Sequence, residues 1–371
     1  MVESGPRPRL QLLECGRGLA ALAVVLFHAN ATSRLEGWRH YDWFTVFQYG
    51  VDFFFVLSGF IIFHAHARDF GHGPRLLPYV QKRAIRLLPT LWLVTGLVFG
   101  LQALLGMPVD IAQFLRSAFP FPSLLPTDPA VVWTLRHEFL FYTVIALAIA
   151  SRRLGMAVMA LWLVATLVQL FALSMGRGLT GVASFFVSSY SLDFFFGMAI
   201  AALHARRDFA PRLWPLILGL TLLVLALAWD AQNSAHRFGP SDYISPQAAW
   251  FTVALGLVCA LIVHGLVTVE GRLKAPRALV ILGGATYSLY LIHAPLNGFV
   301  VRFLRPYGDV LGSGAGGVLL VVIGTAAGIA LHQLFERPVG HRLKNRFVAS
   351  SARPQATTET AAVPAPANIF R

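Results

Sequence analysis

Charged residues are scarce in this sequence: Asp, Glu, Lys and Arg make up 13% of its 371 residues, against about a quarter in an ordinary soluble domain. This scarcity excludes a soluble protein of this length, because its surface would hold too little polar area. The two cysteines, Cys15 and Cys259, lie in or beside separate apolar runs and indicate neither a disulfide framework nor a metal site. The chain also lacks a Walker loop, a His-x-x-x-His pair and a Gly-x-Ser-x-Gly elbow, which excludes the enzyme classes that these motifs mark.

Long apolar runs are abundant instead. Hydrophobic residues make up 56% of the chain, and runs of about 20 residues, enough to cross a hydrocarbon core of about 30 Å, recur along it. The pattern predicts an all-α, polytopic integral membrane protein with about ten transmembrane helices in one membrane domain over residues 1–350. The Ala-, Pro- and Thr-rich residues 351–371 predict a disordered cytoplasmic tail. The predicted spans cover about 17–33, 45–66, 87–107, 131–150, 154–175, 181–203, 213–230, 247–267, 279–301 and 313–335.

Glycine occurs at two informative places within these spans. Ser58-Gly59 is predicted to break the second span, and Gly197 lies within the sixth. Because glycine is tolerated in membrane helices and often marks close packing, we expect a tight helix contact at such positions.

Basic residues outnumber acidic ones, 30 against 17, for a net charge of +13. In a soluble protein this excess would suggest nucleic acid, but here the basic residues lie between apolar spans, so we exclude nucleic acid as a partner. With the N-terminus inside, the inner segments hold 22 Lys and Arg residues and the outer segments hold 7. This asymmetry predicts that both termini are cytoplasmic, in agreement with an even number of spans.

Two ionisable residues inside the spans are candidate catalytic groups. His28 shares a helix face with Arg17, because eleven residues turn a helix by about 1,100°, three turns and about 20°, and it lies about 16 Å deeper. Its imidazole is suited to accept a proton near neutral pH, although a buried histidine can also serve helix packing. Glu138, at about the same predicted depth in the fourth span, would orient His28; alternatively it neutralises Arg136 or another buried cation.

Arg83 and Arg86 lie three residues apart, on one face of a helix, where the second cytoplasmic loop enters the third span. Two guanidinium groups at a membrane edge suit a phosphorylated ligand, because each can bind phosphate oxygens through two hydrogen bonds. The alternative is a charge that sets topology or contacts lipid headgroups. In the ninth span Tyr290 and His293 are also three residues apart, a spacing that is more often helix packing than a site.

These segments together resemble the membrane-bound acyltransferase family 3, ten-helix bacterial proteins that O-acylate exopolysaccharide and other envelope glycans. The resemblance runs from about residue 10 to 345, and six short motifs in the same order carry it. They are Leu13–Ala21 with Phe27-His28, Gly50–Phe60, Arg83-x-x-Arg86, Trp133-Thr134-Leu135 with Glu138 and Phe141-Tyr142, Tyr287-Ser288-x-Tyr290-Leu291-x-His293-x-Pro295, and Phe335-Glu336-x-Pro338.

The resemblance implies an O-acetyltransferase of the bacterial inner membrane with acetyl-CoA, or another acyl-CoA, as donor and no metal. The implied acceptor is a hydroxyl of a glycan or lipid-linked sugar, and membrane lipid surrounds the protein. The implied catalytic residues are His28 and Glu138. Donor binding is expected at Arg17, Arg83 and Arg86, and substrate binding at Trp133, Tyr142, Tyr290 and His293.

The chain departs from the family pattern at two places. Glu14-Cys15 stands where the family usually has Asp-Gly, which keeps the carboxylate but changes the local turn. Arg136-His137 stands where small or apolar residues more often precede the glutamate, and could reflect a different acceptor.

Two other classes of function remain compatible with the residues. A transporter or flippase of a glycan or small solute also has about ten helices with buried charges, but internal symmetry between its halves is not visible. A helper protein that presents a lipid-linked glycan to a partner enzyme would bind no acyl-CoA. Donor binding through Arg83 and Arg86 therefore distinguishes the acyltransferase from both.

Overall fold

The structure, a computed structural model, describes residues 10–207, 209–233, 245–312 and 314–348. Within these residues the chain is almost entirely helical and forms no strand. The helices are α1 (Gln11–Leu35), α2 (Gly50–His66), α3 (Leu76–Leu104), α4 (Ile111–Ala118), α5 (Val132–Ala150), α6 (Arg152–Ser174), α7 (Val182–Phe186), α8 (Tyr190–Arg206), α9 (Trp214–Asn233), α10 (Pro246–Thr268), α11 (Arg277–Gly284), α12 (Thr286–Leu304), α13 (Gly308–Leu311), α14 (Ala315–Leu331) and α15 (Arg337–Leu343). A 3₁₀-helix, Asp42–Tyr49, precedes α2, and π-helical turns at His332–Glu336 and Lys344–Val348 flank α15.

The helices confirm the predicted membrane class. In the described part of the chain, nine helical segments are long and apolar enough to cross a membrane. α11 and α12 meet at a bend of 72° and together account for a tenth. The protein is therefore a polytopic membrane protein, with nine to ten spans in the residues that the structure describes. The predicted tail, 351–371, and most of the residues between the predicted spans 213–230 and 247–267 lie outside the described residues.

The predicted break at Ser58-Gly59 is wrong, because α2 is continuous through both residues. Gly59 instead allows α2 to pack closely on α8: a Cβ atom there would lie 2.2 Å from the carbonyl oxygen of Phe194. Gly197 on α8 makes the reciprocal contact, since its Cβ would lie 1.9 Å from the carbonyl oxygen of Val56. The missing side chains thus let two helix backbones approach where a lipid environment offers little other driving force for association.

Two sets of charged contacts hold α1 at its ends. At its start, the carboxylate of Glu270 accepts hydrogen bonds from the backbone N–H groups of Gln11 and Leu12, both at 3.0 Å. Because the first N–H groups of a helix have no partner within the helix, this carboxylate caps it. At its other end, Arg305 after α12 donates two hydrogen bonds to Glu36, at 2.7 and 2.8 Å. α1 is thereby aligned with α12, which packs along it.

α3 begins earlier than predicted, at Leu76 rather than near residue 87. Arg83 and Arg86 therefore lie within the helix, in its third turn, rather than at its junction with a loop. Pro89 is accommodated inside the same helix. The hydroxyl of Tyr287 on α12 donates to the carbonyl oxygen of Leu87 at 2.8 Å, which joins the two helices beside the arginines.

Candidate active site

A cavity of about 720 Å³ lies among α1, α2, α3, α5 and α12. We call the end of the bundle where it meets Lys82 and Lys344 the basic end. The walls of the cavity combine apolar side chains with seven charged ones, of which five are basic and two are acidic. These are Arg17, Lys82, Arg83, Arg86 and Lys344, with Glu14 and Glu138. All three arginines that the sequence proposed for donor binding therefore line one cavity, from α1 and α3.

The three arginines differ in how many of their guanidinium N–H groups are hydrogen bonded to other residues of the protein. Arg17 donates to Glu14 at 3.0 Å and to Thr286 at 2.9 Å. Arg83 lies over the rings of Tyr79 and Tyr142, at 5.8 and 5.6 Å from the ring centroids. Its buried Nε has no hydrogen-bond partner among the described residues. Arg86 makes no hydrogen bond to any described residue. Unused guanidinium donors in a cavity are available to an anionic ligand.

Glu138 lies in the same cavity, among the arginines. Its Oε1 accepts hydrogen bonds from the hydroxyl of Tyr142, one turn along α5, and from Ser58 on α2 at 3.3 Å. The predicted pairing of Glu138 with His28 is not present among the described residues. The two residues lie on helices that are not direct neighbours here, because α2 packs against both α1, which carries His28, and α5, which carries Glu138. The helix beside His28 is α12.

His28 pairs with a second histidine. Its Nδ1 lies 3.1 Å from Nε2 of His293 on α12, and the two ring centroids are 4.8 Å apart. Neither histidine lines the cavity. Tyr290, which does, precedes His293 by one helical turn, with their ring centroids 6.0 Å apart. The histidine pair therefore lies just beyond the end of the cavity that Tyr290 borders.

The four residues proposed for substrate binding fall into two groups. Tyr142 and Tyr290 line the cavity, and the hydroxyl of Tyr290 is hydrogen bonded to Thr134 at 3.0 Å. Trp133 does not line it, but packs beside Tyr190 at a centroid distance of 5.4 Å. His293 contacts His28 instead of the cavity. Of the four, only the two tyrosines are thus placed to touch a ligand bound there.

Sequence reasoning missed three charged residues of the cavity. Lys82 could have been found, because it directly precedes Arg83 at the start of the same basic segment. Glu14 lies three residues before Arg17, a spacing that allows a helical ion pair. Lys344 gave no such signal, since it belongs to the last described segment and reaches the cavity only through the fold.

The arrangement places two kinds of group side by side. The cavity is lined by basic side chains, which can bind an anion, and the imidazole rings of the histidine pair, which can transfer protons, lie beyond Tyr290. No group of three or more His, Cys, Asp or Glu side chains placed to hold a metal ion occurs in the residues described.

Comparison with known proteins identifies the family. A family described as "Acyltransferase domain" matches residues 11–337. The "Exopolysaccharide production protein ExoZ" of Rhizobium meliloti (strain 1021) is 29% identical over 343 residues, which cover 87% of this chain and 97% of that protein. No solved structure is significantly similar to the chain. Because the family match spans nearly the whole membrane domain, including all the cavity arginines and both paired histidines, the chain belongs to this acyltransferase family.

Proposed function

We propose that the protein is an O-acetyltransferase that moves an acetyl group from acetyl-CoA to a hydroxyl of an exopolysaccharide or another envelope glycan. The acceptor class follows from the name of the similar Rhizobium protein, which refers to exopolysaccharide production. The observation that carries the donor assignment is the basic cavity with unused guanidinium donors.

The charges of the cavity suit a donor with several phosphate groups. Its five basic side chains exceed its two acidic ones, and an uncompensated positive charge at a membrane edge favours a polyanion. Arg83 and Arg86 would bind the phosphates of the CoA moiety, each through more than one N–H group. Arg17, held by Glu14 and Thr286, would mark the inner end of this anion site.

The thioester arm would then extend toward the histidine pair along the apolar wall of the cavity. His28 would accept the proton of the acceptor hydroxyl on Nε2 as the hydroxyl oxygen bonds to the acyl carbon. The carbon–sulfur bond breaks, and the proton passes from His28 to the departing thiolate, which yields the ester and free CoA-SH. A route through an acyl-histidine at the same residue requires the same donor site and differs only in an additional covalent step.

Glu138 would act within the cavity rather than on His28. Its carboxylate balances part of the charge of Arg17 and Arg86 and holds the Tyr142 hydroxyl. Tyr142 would in turn support Arg83, whose guanidinium lies over its ring. Tyr290, at the border between cavity and histidines, would contact the thioester arm near the reacting carbon.

We also propose the orientation of the chain. The basic end would face the cytoplasm of a bacterial inner membrane, where acyl-CoA is made, with both termini on that side. The bias of Lys and Arg toward the segments at this end supports that orientation. A glycan or lipid-linked sugar would approach from the other side of the membrane.

Binding of acetyl-CoA to the purified protein in detergent tests the proposal. We expect saturable binding by the wild type and a loss of about 100-fold or more in affinity for Arg83→Ala/Arg86→Ala, since hydrogen bonds to charged groups each contribute about 1.5–3 kcal/mol. The matched control is Arg152→Ala/Arg153→Ala, which removes two arginines that do not line the cavity.

Two outcomes would contradict the proposal. Folded wild type that binds no acyl-CoA would exclude a donor site and favour a transporter. Equal binding by the wild type and the Arg83→Ala/Arg86→Ala variant would place the donor elsewhere.

A further inference from the structure

The two paired histidines have a defined hydrogen-bond pattern. Nδ1 of His28 lies 3.0 Å from the carbonyl oxygen of Val24, four residues earlier on α1. Nδ1 of His293 lies 2.8 Å from the carbonyl oxygen of Leu289, four residues earlier on α12. The remaining contact joins Nε2 of His293 to Nδ1 of His28 at 3.1 Å. Each imidazole is thus anchored to its own helix, and the two are joined to each other.

These contacts determine where the protons lie. A carbonyl oxygen can only accept a hydrogen bond, so Nδ1 of each histidine must carry a proton. With both rings neutral, Nε2 of His293 has a lone pair and accepts a hydrogen bond from Nδ1–H of His28. The same Nδ1–H also donates to the carbonyl oxygen of Val24. Nε2 of His28 is left unprotonated, and it makes no hydrogen bond within the described part of the chain.

We propose that His293 is a positioning residue for acyl transfer: it holds the ring of His28 through Nδ1, so that the lone pair on Nε2 is directed to the acceptor hydroxyl. The proposal rests on the proposed role of His28 as the base. The hydrogen bond between the two rings does not depend on that role.

A neutral partner suits this position better than a carboxylate. A carboxylate in the interior of a membrane protein is costly to bury unless a cation compensates for it. A neutral imidazole carries no such cost, yet its lone pair can accept a stronger, charge-assisted hydrogen bond once His28 becomes an imidazolium. His293 therefore stabilises the protonated state of His28 without placing a permanent charge beside it.

Packing leaves His293 little freedom to turn away. Its side chain is fully buried, and its own Nδ1 is tied to Leu289. α14 passes close behind it at Gly324, where a Cβ atom would lie 3.3 Å from the Cβ of His293. A buried ring with one nitrogen bonded to its own helix can present the other nitrogen in only one direction, which is toward His28.

The proton positions can be observed without any substrate. In the full-length protein with ¹⁵N-labelled histidine, we expect the His28 signals to show a protonated Nδ1 and an unprotonated Nε2. We also expect a scalar coupling between Nδ1 of His28 and Nε2 of His293. Signals are assigned by their disappearance in His28→Ala and His293→Leu. A protonated Nε2 on neutral His28, or the absence of the coupling, would overturn the proposal.

Two variants of His293 separate positioning from packing. His293→Leu keeps a buried side chain but removes the acceptor, and we expect turnover to fall by about 100-fold with donor affinity unchanged. His293→Gln places a carbonyl oxygen near the former Nε2, and we expect it to recover at least about tenfold of that loss. Equal turnover by the two folded variants, or a loss of donor affinity in both, would contradict the proposal. A wild type that shows the coupling but transfers no acyl group would instead contradict the proposed function.

Discussion

The cavity and the histidine pair lie next to each other but differ in charge and in how fully their polar groups are hydrogen bonded. The cavity collects five basic side chains; among the described residues, Arg83 Nε has no hydrogen-bond partner and Arg86 makes no hydrogen bond. Around the histidine pair, every ring nitrogen but one contacts a carbonyl oxygen or the other ring. One region is rich in basic side chains, whereas the other consists of two imidazole rings that are bonded to each other and to their own helices.

Under the proposed function, this difference would separate donor binding in the cavity from proton transfer at the histidine pair. Charged groups are least costly where water can reach them, near the end of the bundle, and there they can select a phosphorylated donor. Proton transfer deeper in the membrane needs a group that is neutral at rest and charged only during the reaction, as imidazole is. Variants in the cavity should therefore change donor affinity, and variants in the pair should change turnover.

The largest effect is expected from His28→Ala. Without the base, turnover should fall by about 10²–10⁴-fold while acyl-CoA affinity stays within about twofold of the wild type. Initial rates and binding isotherms on the same preparation measure both. His40→Ala, an exposed histidine before the 3₁₀-helix, is the control. Turnover by His28→Ala at the wild-type rate would remove the histidine pair from the mechanism.

Gly197→Ala tests the helix contact that supports the cavity wall. The new Cβ would meet the Val56 carbonyl oxygen, a backbone atom that cannot turn aside, so α2 and α8 must separate. Overpacking typically costs about 1–3 kcal/mol, and we expect a lower melting temperature in detergent. Gly298→Ala on α12, where a Cβ meets nothing within 4 Å, should melt like the wild type. Equal melting of the two variants would show that the contact is not tight.

Glu138→Gln distinguishes the two regions most directly. The glutamine keeps an acceptor for Tyr142 but removes a negative charge near the proposed phosphate site, so donor affinity should rise by about tenfold. Turnover at saturating donor should stay within about tenfold of the wild type. If turnover instead falls as far as in His28→Ala with donor affinity unchanged, Glu138 acts on His28 and the division proposed above is wrong.

Lys344→Ala should have a smaller effect on the donor side. Lys344 lines the mouth of the cavity, where solvent screens its charge, so we expect acyl-CoA to bind about 2- to 5-fold more weakly. The difference should disappear in high salt, because an exposed charge is screened. Arg342→Ala, two residues away and outside the cavity, should leave the affinity unchanged. An equal effect of both variants would indicate a general surface charge.

The smallest effect is expected at the other end of α1, from Glu36→Gln. Hydrogen bonds from Arg305 lower the pKa of Glu36 below its ordinary value of 4.5. A carboxyl group whose pKa is lower in the folded state stabilises the fold at any pH above its unfolded-state pKa. This contribution is lost as the pH falls through its folded-state pKa. Glu36→Gln should therefore melt slightly below the wild type at pH 7, and the two should converge in acid. A difference that persists at low pH would exclude the ion pair as its cause.

Most of the fold could be predicted, because a membrane requires long apolar helices whatever their tertiary arrangement. In the described part of the chain, the ten expected spans correspond to nine long apolar helical segments and the bent α11–α12 pair. The prediction was wrong at Ser58-Gly59, where glycine permits contact with α8 rather than a break in α2. Single-helix propensity cannot separate these two uses of glycine, since the partner helix is distant in sequence.

The site was only partly predictable for a similar reason. Arg83 and Arg86 share a face because of their spacing, and the structure places them with Arg17 in one cavity. Donor binding by the three arginines stays a prediction. The partner of His28 was predicted wrongly. Glu138 was expected because its predicted depth in the membrane is similar to that of His28, but the structure places α12, with His293, beside α1. Depth can be estimated from residue counts along a helix, whereas neighbours around it depend on how the bundle packs.

The order of the amino acids therefore establishes that this chain crosses a membrane repeatedly and which residues bring charge into it, because burial in lipid restricts both composition and length. It also determined the face of each helix on which Arg17, Arg83 and Arg86 lie, through the fixed turn per residue. The packing of the helices, in contrast, places the arginines around one cavity, adds Lys344 to them and brings His293 into contact with His28. These contacts join segments up to hundreds of residues apart, and close packing between helices, rather than local propensity, selects them.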